Sequence, residues 1–126
     1  MKNLNVVVIT IAGLGFLGFG IVLLFWPDMA LNGTGVQAPS PEAQAEVRAF
    51  YGGLEIGLGL LLLTCFAAER QGFGLQLSFA SYGAIGLARA SSMLVLGVTT
   101  PFLWFALAWE SVIAILALLA LRSKSP

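Results

Sequence analysis

Hydrophobic residues run along this chain in four long stretches, near residues 4–26, 45–68, 74–97 and 101–121, separated by polar breaks. Each reaches the ~20 residues that an α-helix needs to cross a hydrocarbon core of ~30 Å. The pattern predicts an all-α polytopic membrane protein, a single domain over 1–126 built as a four-transmembrane-helix bundle with up-down topology. Most connections are short, which favours antiparallel neighbours. The exception is 27–44, "PDMALNGTGVQAPSPEAQ". There Pro27 stops the first helix and Asn32-Gly33-Thr34-Gly35 is turn chemistry. Ser40-Pro41-Glu42 reads as a cap, a first-turn proline and a dipole-compatible acid that open the second helix ahead of the membrane. The first stretch follows Lys2 as a secretory signal would. Its apolar part is too long, however, and no small-x-small cleavage pattern follows Trp26-Pro27-Asp28, so a retained helix is expected.

Four spans place both termini and the Glu69-Arg70 loop on one side. That side collects Lys2, Arg70, Arg122 and Lys124 against Arg48 on the other, so the positive-inside rule predicts an N-in, C-in protein with a periplasmic 27–44 loop. Trp26 and Trp104 fall at the opposite interface, where indole rings prefer to lie.

Composition agrees with this class and removes others. Hydrophobic residues make up 59% of the chain and charged ones 10%, against about a quarter charged in soluble proteins. Net charge is zero with no basic run, which excludes nucleic acid as a partner. The one cysteine, Cys65, can form no internal disulfide or redox pair. The chain has no histidine, so histidine-based metal sites, haem ligation by histidine and serine-histidine catalysis are absent from it, and no cofactor is expected. "GLGFLGFG", with Gly13, Gly15, Gly18 and Gly20, lies inside an apolar stretch with no preceding strand and no adjacent helix start, which rules out a phosphate-binding loop.

Helical periodicity sorts the remaining small and polar residues. In the second stretch Ala45, Ala49, Gly53 and Gly57 recur every four residues, and in the third Ala80, Ala84 and Ala88 do the same. Such stripes let backbones approach closely and are expected to be packing seams, inside the bundle or between subunits. At about 100° per residue, Arg48, Tyr51, Glu55 and Gly59 form a second stripe roughly opposite Gly53 and Gly57, which marks the second helix as buried and central. Ser78, Tyr82 and Arg89 share a face of the third helix, and the fourth contributes Glu110. Measured from the tryptophan-bearing ends of their helices, Glu55, Arg89 and Glu110 lie at depths of roughly 15, 12 and 13 Å.

Matched depth predicts contact. An unpaired charge at mid-membrane costs at least ~2.5–3.5 kcal/mol, so scattered lipid-facing charges are disfavoured. The expectation is a buried cluster with Glu55 and Glu110 around Arg89, rimmed by Arg48, Tyr51 and Tyr82. Arginine suits the centre because its planar fork engages two carboxylates and does not deprotonate. A cluster of this kind either fixes helix order and rotation or lines a ligand, ion or proton site.

"VRAFYGGLEIGLGLLLL", "GLARASSMLVLG" and "FALAWESVIAILALL" resemble a family of small bacterial four-helix inner-membrane proteins catalogued as domain of unknown function 4345. The resemblance runs from the second helix onward and is carried most specifically by Arg48, Tyr51, Gly52, Gly53, Arg89 and Glu110. It implies the four-helix architecture and a bacterial inner (plasma) membrane, and no activity.

Several function classes stay open. One is an accessory or binding module for a lipid-soluble or anionic small molecule, docked through its small-residue seams as a homo-oligomer or in a larger membrane complex. A proton-coupled transporter or channel acting as an oligomer is another, although carboxylates beside Arg89 should resist protonation. A membrane lipid isomerase would need Glu55 and Glu110 in opposite protonation states, for which no sequence feature speaks. A non-enzymatic module is the reading preferred at this stage.

Overall fold

In a computed structural model, described for residues 2–67 and 69–123, every regular element is helical. Lys124 lies outside these residues, as does the side chain of Lys2. Helix α1 is Lys2–Phe25, and a five-residue helix, α2, follows at Pro27–Leu31. The second span begins as α3 (Pro41–Val47), passes through a π-helical turn at Arg48–Gly53, continues as α4 (Leu54–Leu63) and ends in a 3-10 turn at Thr64–Phe66. Helices α5 (Gln71–Leu96) and α6 (Pro101–Arg122) complete the chain. Four helical units, 3–25, 41–66, 71–96 and 101–122, are long and apolar enough to cross a membrane.

The ends follow from local chemistry. Ser40 Oγ accepts from the Ala43 amide at 3.1 Å, as its position ahead of Pro41 predicts, and Thr100 does the same for Leu103 at 3.2 Å ahead of Pro101. Helix α5 stops at Gly97, whose φ of 64° is the left-handed conformation that closes a helix and turns the chain towards α6. The second span starts at Pro41, four residues earlier than its hydropathy suggests, because this cap sits outside the apolar run.

Helix α1, rather than the second span, is the hub. It packs along α4 and the π-turn on one flank and against both α5 and α6 on the other, whereas α4 touches α5 sparingly. Helices α1 and α4 run antiparallel, with Leu24 beside Gly52, Leu17 beside Gly59 and Gly13 beside Leu63. Helices α5 and α6 form the second antiparallel hairpin. Asn5 donates to Gln71 at 3.3 Å, and Gln71 donates to the Phe66 carbonyl at 3.1 Å, which ties α1, the 3-10 turn and α5 together at the end that carries Arg70. Val8, Ile9, Ala12, Phe16, Leu75 and Ala117 belong to the core. Leu4, Val7, Ile11, Leu14, Ile21 and Phe25 leave one strip of α1 facing outward.

The seam that brings α1 and α4 together differs from the expected stripe. A Cβ added at Gly59 would lie 2.7 Å from the Leu17 nitrogen and 2.8 Å from the Gly13 carbonyl, and one at Gly20 would lie 2.8 Å from the Ile56 nitrogen. The contact thus runs through Gly13 and Gly20 on one helix and Gly52 and Gly59 on the other, each pair two turns apart. Ala45, Ala49, Gly53 and Gly57 face outward, as do Ala80, Ala84 and Ala88.

Candidate functional site

The polar residues lie in the cleft left where the second span and the α5–α6 hairpin both pack on α1 and touch each other only sparingly. Along the second span Leu62 is fully buried, Leu58 and Glu55 are partly buried and Tyr51 is 55% exposed. On α5, Ser78 and Tyr82 are buried and Arg89 is a quarter exposed.

Arg89 and Glu110 form the one ion pair among the described residues. The Arg89 Nε donates to both carboxylate oxygens at 3.0 and 2.9 Å, and Nη2 donates to Oε1 at 2.6 Å. This forked geometry is the strong form of an arginine–carboxylate contact, and the Glu110 side chain is only 8% exposed. Gly86, about one turn before Arg89 on α5, lies beside Glu110, and a Cβ there would stand 3.5 Å from the Glu110 Cβ.

Tyr82 is 4% exposed and donates its hydroxyl to the Ala12 carbonyl at 2.8 Å. Its ring lies 4.5 Å from that of Phe16 at an interplanar angle of 42°. The hydroxyl fits because α1 has glycine opposite it: a Cβ at Gly15 would come within 2.7 Å of the oxygen and 3.5 Å of the Trp109 indole. Tyr82 thus joins α1, α5 and α6 around one buried hydroxyl.

Glu55 stands apart from the ion pair. It lies against α1 at Gly20, within electrostatic range of Tyr82. Its Oε2 is fully enclosed with no hydrogen-bond partner, and no base pairs with it among the described residues. Arg89 is therefore gripped by a single carboxylate, Glu110, instead of two. Tyr51 is exposed and lies within electrostatic range of Arg89. Arg48 is exposed and makes no ion pair or side-chain hydrogen bond among the described residues.

The π-turn explains why Arg48 leaves the group. The Leu54 amide bonds to the Ala49 carbonyl, five residues back, so this turn holds one residue more than an α-turn. Residues before it are rotated by about 100° relative to an unbroken helix, which takes Arg48 out of line with Glu55. The Gly52-Gly53 pair, weak in helix propensity, marks the place where the ladder widens. Phe16, Gly15 and Gly20 are the parts of the site that sequence reading missed. The matching seven-residue spacings of Gly13 and Gly20 and of Gly52 and Gly59 were the signal in the chain that would have placed α1 beside this face.

Near the α5–α6 turn, an apolar hollow of about 270 Å³ is lined by Ala90, Met93, Leu94, Thr99, Trp104 and Leu107, separate from the charged groups. Among the described residues no three His, Cys, Asp or Glu side chains converge in a way that could hold a metal ion.

No curated protein and no solved structure matches the chain. One family model, described as Domain of unknown function (DUF4345), matches residues 5–121, a range that takes in all four apolar helices and every residue of the cleft. By that match over nearly its whole length, this four-helix membrane protein belongs to the DUF4345 family.

Proposed function

We propose that this chain is a non-enzymatic binding module of the bacterial inner membrane, which receives a lipid-soluble small molecule in the cleft between α4 and α5. The observation that carries the reading is the Glu55 carboxyl, set part-buried in a membrane span where the second span and α5 barely touch, with one oxygen that has no hydrogen-bond partner. The Arg89–Glu110 pair supports it by holding α5 against α6, while α4 stays largely apart from α5. Its locking also weighs against an isomerase that shares acid-base work between Glu55 and Glu110, because Glu110 is held by three bonds to Arg89. Both termini are assigned to the cytoplasm on the strength of Arg70 and Arg122 at one end of the bundle.

The outward-facing Ala45, Ala49, Gly53 and Gly57 favour a second reading, in which the module docks on copies of itself or on a larger membrane complex. Native mass spectrometry of protein extracted with its surrounding lipid separates the two. A discrete retained mass, lost when Tyr51→Trp fills the mouth of the cleft, is the expected result. A clean oligomer or heteromer with nothing retained overturns the binding reading in favour of the docking one.

A further inference from the structure

The Arg89–Glu110 pair leaves part of the guanidinium unused. An arginine carries five N–H donors in a fixed fork. Nε directs its one at both Glu110 oxygens and Nη2 directs one of its two at Oε1, over 2.6 to 3.0 Å. The two donors of Nη1 and the second of Nη2 meet no acceptor among the described residues. Nη1 is also within reach from outside. Arg89 is a quarter exposed, and the enclosed polar side-chain atoms without a partner among the described residues are Asn5 Oδ1 and Glu55 Oε2, with Nη1 not among them. Tyr51, exposed on the second span, lies within electrostatic range of the same guanidinium.

These donors lie where few acceptors exist. Arg89 is roughly 12 Å from the outer end of its helix, at a depth where hydrocarbon supplies no water to bond an N–H group, and Glu110 fastens the side chain there. Phospholipid ester groups stay at the edge of the core, so the acceptor has to belong to a molecule that dissolves in the core itself. The pair also sets the charge of that molecule. Arg89 and Glu110 together are neutral, so an anion at Nη1 finds no net charge to offset its loss of water, with the Glu110 carboxylate close behind. A cation is repelled by the guanidinium. A neutral carbonyl oxygen costs little to bury and gains a charge-assisted bond without loosening Glu110. This preference depends on Arg89 and Glu110 alone and holds for either protonation state of Glu55.

On the cleft reading proposed above, we infer that the unused N–H groups of Arg89 are the donor site for a neutral, lipid-soluble carbonyl compound of the ester, ketone or quinone kind. Its oxygen accepts from Nη1 while Glu110 keeps its three bonds to the other edge of the guanidinium. The site therefore selects a neutral carbonyl head over an anionic or cationic head on the same tail.

The test titrates purified full-length protein in a neutral maltoside detergent with methyl laurate, isotopically labelled at its carbonyl and followed by infrared spectroscopy. Dodecanesulfonate and dodecyltrimethylammonium are the permanently charged competitors of matched tail. The expected result is one saturable ester per chain, with its carbonyl band at lower frequency than in protein-free micelles, displaced by either charged probe only at about tenfold or greater excess. Arg89→Leu combined with Glu110→Leu, which removes the donors and the counter-charge together, is expected to lose the shifted band. A bound ester whose band is unshifted, a shifted band that survives in the double variant, or a charged probe bound as tightly as the ester overturns the assignment. The competition needs only the native protein, so it decides the matter even if the double variant misfolds. A charged probe held tightly and released by Tyr51→Trp removes the carbonyl class and leaves the cleft reading intact, whereas no saturable binding of any probe and no co-purified mass remove both.

Discussion

Arg89→Leu tests the wall of the cleft most sharply. It removes three hydrogen bonds of 2.6 to 3.0 Å and leaves Glu110, whose side chain is 8% exposed, without its counter-charge. Stranding one partner of a buried pair costs ~3–5 kcal/mol, and because Arg89 is itself 25% exposed the lower end, about 3 kcal/mol, applies. Replacing both partners removes the orphan. Arg89→Leu with Glu110→Leu should therefore recover most of the loss, giving a coupling of about 2–3 kcal/mol, at the upper end of what contacting residues show. The assay is unfolding in mixed maltoside–dodecyl sulfate micelles, followed by helical circular dichroism, on parent, both single variants and the double. A single Arg89→Leu variant within ~0.5 kcal/mol of the parent, or a double variant no better than the worse single, would refute the reasoning. In the first case the pair does not lock α5 on α6, and in the second the loss comes from repacking rather than from a stranded carboxylate.

The other predictions address packing, the buried hydroxyl and the thiol. Gly59→Ala puts a methyl 2.7 Å from the Leu17 nitrogen, so it should cost ~1–3 kcal/mol or more in the same unfolding assay, while Gly57→Ala, which meets open space, should be neutral or slightly stabilising. Tyr82→Phe should cost about 1 kcal/mol through the lost bond to Ala12, and Tyr51→Phe, at an exposed ring, should leave the unfolding curve unchanged; the reverse order would misplace the cleft mouth. Cys65 is fully buried with its thiol directed at the Leu61 carbonyl, so a maleimide should leave it unmodified in maltoside micelles and label it completely in dodecyl sulfate. Rapid labelling in the mild detergent would show that the arginine-bearing end of the bundle is open.

Much of the architecture was legible in the chain because hydropathy over ~20 residues reports a span irrespective of its neighbours. The Ser40 cap was readable for a similar reason, since its partner is three residues away. Matched depth correctly brought Arg89 to Glu110, because their helices are joined by a short turn that keeps them side by side. The same depth argument did not carry Glu55 to Arg89. Depth says how far along a helix a residue lies, and nothing about whether two helices touch, as α4 and α5 barely do. Arg48 was misplaced because a stripe drawn at a fixed angle assumes an unbroken helix, and the π-turn adds a residue between Arg48 and Glu55. The outward stripe of Ala45, Ala49, Gly53 and Gly57 shows a related ambiguity. Small residues at four-residue spacing announce that a close neighbour is tolerated, and the glycines that α1 uses lie on a different face of the same helix.

The position of α1 as hub has a consequence for biosynthesis. Chains enter the membrane in sequence order, so the helix that touches all the others arrives before any of them. Until the second span follows, Gly13 and Gly20 present bare backbone to lipid, and Asn5 has only water or headgroups near the interface to satisfy it. The arrival of Gly52 and Gly59 closes one flank, and the α5–α6 hairpin, bringing Gln71 and Tyr82, closes the other. Assembly then proceeds hairpin by hairpin onto a waiting template, and lesions on the glycine flank should trap a two-helix species while lesions at Gln71 or Tyr82 trap a pair of hairpins that insert without docking.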